Sequence, residues 1–154
     1  LWVENTGLSI QRSINGGISY TSFTSGITEG SGNFLFITPF AQDPSNPAIM
    51  WIGGARPWRT TQATSVPTVG SIWTNAGGFF GARIGAWAVD PQNSNRVYAG
   101  TGTGGGDQNC RVFTTSTALT STSSTVWPSA KVRPDQCFVS WIAVDPATLG
   151  TVYA

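Results

Sequence analysis

Short apolar runs recur along this chain, four to a unit, and turn residues part them. No stretch spaces its apolar residues as a long amphipathic helix requires. One phrase is written three times: Phe40-Ala41-Gln42-Asp43-Pro44, Trp87-Ala88-Val89-Asp90-Pro91 and Ile142-Ala143-Val144-Asp145-Pro146. Seven residues after each Asp an apolar triplet begins: Met50-Trp51-Ile52, Val97-Tyr98-Ala99 and Val152-Tyr153-Ala154. A fourth copy, Leu1-Trp2-Val3, opens the chain. From Leu1 to Met50 to Val97 to Val152 the steps are 49, 47 and 55 residues. Strand-like units with a period of about fifty residues point to radial or stacked repeats.

Each unit divides into four predicted strands. The first runs over residues 34–37, 84–89 and 139–144, and Asp-Pro closes it, because Pro has no amide donor and Asp caps a turn. The second is the triplet with its tail, as in residues 97–101. The third covers residues 8–13, 57–61 and 111–115, and the fourth covers 18–20, 71–73 and 125–127. This predicts an all-β chain of about three four-stranded antiparallel repeats, the pattern of β-propeller blades. Residues 1–154 read as one partial propeller domain, with units of approximately 1–49, 50–96 and 97–151 and a fourth starting at 152. A chain that begins and stops inside copies of the triplet reads as three repeats of a longer protein.

The run Asp-Pro, Val-Tyr-Ala-Gly, aromatic-Arg-Ser/Thr, then Ser13-Ile14-Asn15-Gly16-Gly17-Ile18-Ser19-Tyr20 resembles the Asp-box (BNR) repeat. That family's motif is Ser/Thr-x-Asp-x-Gly-x-x-Trp/Phe, found in sialidases, sortilin-type receptors, xyloglucan-cleaving glycosidases and exported bacterial propellers. The resemblance spans essentially the whole chain. Asn15 stands where the family has Asp, and Tyr20 takes the aromatic place. In the second unit Thr60 and Thr61 precede Gln62 and an insert before Trp73; in the third, Thr114 and Thr115 precede a Ser/Thr run before Trp127. The resemblance implies a structural, turn-locking role for Ser13, Asn15, Gly17 and Tyr20. Asp43, Asp90 and Asp145 belong to the repeated turn.

Antiparallel order puts the turns after strands one and three on one face of the repeat and the remaining loops on the other. The resemblance places ligands on that second face. Of seven carboxylates, the four outside the repeated turn, Glu4, Glu29, Asp107 and Asp135, all fall there, as do Arg56, Arg83, Lys131 and Arg133. Charges in such loops are ordinarily just solvated. Glycoside hydrolysis needs two carboxylates flanking one bond. Asp107 and Asp135 form the leading candidate pair, and Glu4 and Glu29 a second. A sialidase would also want an Arg cluster and a Tyr–Glu nucleophile, whereas Tyr20, Tyr98 and Tyr153 are all repeat positions.

Other chemistry is thin. With no His there is no Ser-His-Asp triad and no His-ligated zinc, and two Cys alone make no metal site. Cys110 and Cys137 fall in loops of the same face, where a disulfide is expected. Residues 102–107, Gly-Thr-Gly-Gly-Gly-Asp, precede a strand rather than a helix, so they do not cradle phosphate. A calcium site at Asp107 has few carboxylates to draw on. No cofactor or metal is expected. Seven Trp fall at repeated strand positions and read as packing residues rather than sugar platforms. Net charge is +1, the single Lys is Lys131, and no apolar run is long enough for a membrane span, so neither nucleic acid nor bilayer is an expected partner. Low charge and Ser/Thr/Gly-rich loops suggest a secreted or cell-surface protein.

The leading expectation is a non-catalytic binding or scaffolding propeller segment contacting glycan or protein. The alternative is a fragment of a glycoside hydrolase. In either case the partners of its open ends are the remaining blades of a parent chain or identical copies.

Overall fold

The computed structural model describes residues 1–67, 70–102, 110–132, 138–148 and 150–154. They are all-β and form four antiparallel sheets, none closed. The first holds β1 (Trp2–Glu4), β2 (Ile10–Arg12) and β3 (Thr21–Ser22). The second holds β4 (Phe40–Gln42), β5 (Met50–Gly53), β6 (Pro57–Thr60) and β7 (Thr74–Asn75). The third holds β8 (Ile84–Asp90), β9 (Asn93–Thr101), β10 (Arg111–Thr115) and β11 (Ser129–Lys131). The fourth pairs β12 (Ala143–Val144) with β13 (Val152–Tyr153). In every sheet neighbours in space are neighbours in sequence. The register repeats too: Trp2 lies opposite Arg12, Trp51 opposite Arg59 and Tyr98 opposite Thr114.

Two expectations about strands need correction. Residues 34–37 are not a strand; Pro39 has no amide to give a ladder, so the strand opens at Phe40. The preceding segment ties instead to the β1–β2 turn, where the Gly7 N–H donates to the Phe36 carbonyl and the Thr38 hydroxyl to that of Gly7. The fourth strands begin after their aromatic residues, at Thr21, Thr74 and Ser129. In the second unit the reason is visible: the N–H groups of Ile72 and Trp73 both bond the Ser25 carbonyl of the unit before.

The sheets stack face to face in chain order, and alternation along each strand divides its residues between neighbours. Met50 and Ile52 lie in a core with Ile10, Phe23 and Trp73, while Trp51 lies in the next with Trp87, Val97 and Trp127. Likewise Trp87 and Val89 face back, and Ala86, Ala88 and Tyr98 face forward onto Val139 and Ile142. First strands meet: β4 contacts β8, and β8 contacts β12. Close approach there demands glycine. A Cβ at Gly53 would sit 2.4 Å from Ile84 Cδ1, and one at Gly100 would sit 2.2 Å from Val139 Cγ1.

Three fastenings recur from sheet to sheet. The Trp73 indole N–H donates to the Phe23 carbonyl and that of Trp127 to the Ala76 carbonyl (2.9 Å for the latter), each reaching back one unit. The Arg12 guanidinium donates to the carbonyls of Ala63 and Ser65, and that of Arg59 to Ala118, each reaching forward. On the repeated turns, the Ser45 hydroxyl donates to the Pro91 carbonyl and the Gln92 amide to that of Pro146. Each Asp is a local brace. Asp43 Oδ1 accepts from the N–H groups of Ser45 and Asn46, Asp90 Oδ1 from Gln92, and Asp145 Oδ1 from Ala147 and Thr148.

The balance of forces follows from magnitudes. Burying one Trp removes about 200 Å² from water, at most about 5 kcal/mol at 25 cal/mol per Å². Its hydrogen bond adds about 1 kcal/mol. Area therefore supplies the cohesion, and the N–H selects the alignment. Trp51 and Trp87, whose buried N–H groups have no partner, contribute through area alone.

Trp127→Phe keeps most of the area and removes the donor, leaving the Ala76 carbonyl unmet. It is expected to cost about 1–2 kcal/mol in urea unfolding, and Trp73→Phe a similar amount. Unchanged stability in both variants would refute the alignment role.

Candidate functional site

The loops after β1, β5 and β9 and those joining one sheet to the next share a face, and backbone bonds stitch them together. The Phe80 N–H donates to the Ala55 carbonyl (2.9 Å), Ile84 to Gly54 (2.8 Å), and Gly102 to Arg83 (3.1 Å). This face carries the candidate ionisable residues that are described. Asp107, Arg133, Asp135 and Cys137 lie outside the described residues, so the leading carboxylate pair and one binding Arg have no geometry to report.

Glu29 is a brace. Its Oε1 accepts from the Ala55 N–H and its Oε2 from the Trp58 indole N–H, both at 2.9 Å. The carboxylate thus ties the loop between β3 and β4 to the β5–β6 turn. It passes so near Gly54 that a Cβ there would lie 3.1 Å from Glu29 Cδ and 2.9 Å from the Asn33 carbonyl oxygen. With both oxygens engaged, Glu29 is a poor proton donor or nucleophile. Arg83 is half-buried and donates to the Gly32 carbonyl at 2.8 Å, bracing the same loop from the far side. Arg56 lies next to these contacts, with its guanidinium 5.9 Å from the Phe79 ring centre, a cation–π geometry. The structure therefore brings Glu29, Arg56 and Arg83 to one neighbourhood. Lys131 is exposed at the end of β11.

Glu4 behaves differently. It stands in β1 at the register position held by Gly53 in β5 and Gly100 in β9, opposite Ile10, Pro57 and Val112 respectively. Where those glycines admit the neighbouring first strand, the Glu4 carboxylate is pressed into the protein, and both oxygens are buried without a hydrogen-bond partner. Burial raises its pKa above the ordinary 4.5, and the nearby Thr38 backbone offsets this in part. No acidic partner for it is described.

The repeated-turn face holds the Ser13–Tyr20 turn. Ser13 Oγ accepts the Gly17 N–H at 2.8 Å, and Asn15 Oδ1 accepts the Ser13 hydroxyl at 2.9 Å and the Ser19 N–H at 3.0 Å. Gly17 adopts φ 92°, open to glycine and strained for other residues. Tyr20 packs its hydroxyl end near Gly17. At the equivalent places Thr60 Oγ1 accepts the Gln62 N–H (3.0 Å) and Thr115 Oγ1 that of Thr117 (3.2 Å). Asp90 makes the one described ion pair, with Arg96 at 2.9 Å. The Ala147 N–H is the main cause holding the exposed Asp145 carboxyl below its ordinary 3.8.

Cys110 is buried and disulfide-bonded. Among the described residues no three His, Cys, Asp or Glu side chains gather as metal ligands, and no helix is long and apolar enough to cross a membrane. Of the seven Trp read as packing residues, Trp141 departs: it stands two residues before β12 and is 63% exposed. Sequence reasoning missed the roles of Arg12 and Arg59. Their placement just after the third-strand position of Gln11 and Trp58 was the available signal. Compared with protein families, curated proteins and solved structures, the chain matches none.

Glu4→Gln tests the buried carboxyl. A folded pKa raised above the unfolded one means stability is fully present below about pH 4.5 and is lost as pH rises through the folded value. The variant escapes that loss. Its Tm should exceed the parent's at about pH 7, with the gap closing toward about pH 4; a pH-independent gap would show that Glu4 is ionised freely in the fold.

Proposed function

We propose that the sheets are blades of an Asp-box β-propeller, and that this chain is a non-catalytic binding or scaffolding segment of an exported repeat protein. Its ligand is a glycan or a protein surface, met by the loop face. Several observations support the propeller reading. The first strands of successive sheets adjoin one another, as strands around a common axis do. The sheets stack in chain order with the same fastenings repeated, and the Ser13–Tyr20 turn is braced by its own Ser and Asn side chains. A disulfide-bonded Cys110 fits an oxidising compartment.

The observation that carries the binding reading is the employment of Glu29 and Arg83. Both are committed to backbone groups that hold the loops in place. What faces solvent beside this rigid frame is a cation near an aromatic ring, Arg56 with Phe79, which is 61% exposed. An exposed aromatic ring beside a half-buried guanidinium on braced loops suits stacking and hydrogen bonding to a sugar or a peptide carboxylate without further ordering.

One observation favours the second reading, a glycoside hydrolase fragment. Glu4 is a carboxyl kept protonated to higher pH by burial, the property a general acid needs. In that reading Asp107 or Asp135 supplies another of the carboxylates, as the sequence pattern suggests.

The experiment is a titration of the intact chain with cello- and xyloglucan-oligosaccharides and sialosides, following backbone amide resonances and release of reducing ends. Binding should move Arg56, Phe79 and Arg83 without turnover, and Arg56→Ala should weaken it by about tenfold or less. Turnover that disappears in Asp107→Asn and Asp135→Asn, with folding kept, would replace the binding reading by the hydrolase one. Absence of any saccharide response would leave a protein ligand as the form of the proposal to pursue.

A further inference from the structure

The seam between the first and second sheets and the seam between the second and third follow one plan, but they differ at one place. Gly26 and Phe79 are equivalent: each stands three residues beyond the carbonyl that receives the next unit's indole, that of Phe23 or Ala76. Gly26 has φ 97°, and a Cβ on it would lie 2.5 Å from the Trp73 carbonyl oxygen and 3.1 Å from Ser71 Cβ. Lacking a side chain, it lets the segment before Trp73 close in, and the Ile72 and Trp73 N–H groups reach the Ser25 carbonyl. The Ile72 side chain is carried inward, 8% exposed, into the core that holds Trp58 and Trp73.

Phe79 puts a side chain at that place, and the segment before Trp127 stands off. Among the described residues the backbone bond there runs the other way, from the Gly78 N–H to the Thr125 carbonyl at 3.3 Å. Val126, the equivalent of Ile72, is 85% exposed. The result is a cleft of about 170 Å³. Its buried lining residues, Phe80, Phe113 and Trp127, form the floor, and the exposed Phe79, Val126 and Ser124 form the rim. Phe80 and Phe113 are stacked with ring centres 3.9 Å apart. Both walls belong to the two middle sheets, each of which has a described sheet on either side.

The first seam indicates what suits this space, because the residue at Val126's position there turns an aliphatic side chain inward. At about 170 Å³ the cleft is below the roughly 300 Å³ at which small-molecule pockets begin. Its two hydroxyls are already engaged: Ser124 Oγ lies 3.0 Å from Thr122 Oγ1, and Thr125 Oγ1 accepts the Thr122 N–H at 2.9 Å. A sugar's hydroxyls would go unmet on such a lining, whereas one apolar side chain would not. The Phe79 ring that forms one wall has the Arg56 guanidinium 5.9 Å from its centre. Among the described residues Arg56 makes no hydrogen bond or ion pair, so its charge is open to an anion.

We propose that this cleft seats one aliphatic side chain of a protein partner, and that an acidic residue beside it in the partner's chain pairs with Arg56. The inference rests on the binding reading above and narrows its ligand to an acidic, aliphatic peptide segment. Burial of the side chain supplies the affinity, and the carboxylate sets the orientation.

The test titrates the intact, isotope-labelled chain with the capped peptide acetyl-Gly-Gly-Asp-Ile-Gly-Gly-amide and with analogues carrying Ala for Ile or Asn for Asp. The chain itself is unaltered, so folding does not enter. Saturable shifts are expected at the amides of Gly78, Phe79, Thr125 and Val126. The Ala analogue should bind roughly tenfold more weakly, and the Asn analogue about threefold. In Arg56→Gln the Asp and Asn peptides should bind alike. Equal affinity for the Ile and Ala peptides, a preference for Asp that survives Arg56→Gln, or no shift at millimolar peptide would overturn the proposal. Saccharide-induced shifts at Arg56 and Phe79 without a peptide response would overturn it as well, and the binding reading would stand. Peptide binding in a sample that also releases reducing ends from xyloglucan-oligosaccharides does the reverse: the inference holds and the non-catalytic reading falls.

Discussion

A sheet with one apolar face needs one cover, but the two middle sheets of this molecule are apolar on both faces. Trp51 points one way from β5 and Met50 and Ile52 the other; Val97 and Ala99 point one way from β9 and Tyr98 the other. Such a sheet is stable only between two others. Stacking is therefore a condition of folding here, and each interface has to solve the same geometric problem. Burial alone would let neighbouring sheets slide. The indole, guanidinium and turn fastenings remove that freedom because each reaches backbone carbonyls at a set height.

This requirement explains how charge is used. In a chain with so few ionisable residues, most of those described act as braces. Glu29 and Arg83 fix the loop after β3, Arg12 and Arg59 bind sheet to sheet, and Asp43, Asp90 and Asp145 shape turns. Glu4 breaks the pattern. It occupies a glycine's place, and burial holds its carboxyl pKa above the ordinary value, the Thr38 backbone offsetting this in part. A braced loop face with one unsatisfied acid at its margin is the arrangement on which the binding and hydrolytic readings divide.

Much of the fold was legible in the sequence, for a physical reason. The triplets and the Asp-Pro phrase are local: side-chain alternation and a turn that its own Asp caps need no distant partner to be recognised. β8, β9 and β10 lie where the apolar runs put them. The fourth strands were misplaced because the residues before them answer to another unit, as Ile72 and Trp73 do to Ser25. Residues 34–37 were apolar enough for a strand, but Pro39 silences the ladder and Phe36 is left exposed. The candidate site was legible only as a face. That Glu29 would be spent on Ala55 and Trp58 depends on a contact across 26 and 29 residues, which no local pattern announces.

The acceptors in these fastenings have one property in common. Phe23, Ala76, Ala63, Ala118, Pro91 and Pro146 all accept through the main chain, so the receiving side of each junction is indifferent to which amino acid supplies it. Only the donor side is written in side chains. A gene encoding such a module can be duplicated, and its copies can diverge, while every copy still offers the next one a place to attach. Drift on the receiving side leaves the acceptor itself in place. That asymmetry is a mechanism by which a repeat array lengthens without having to co-evolve both halves of each new joint.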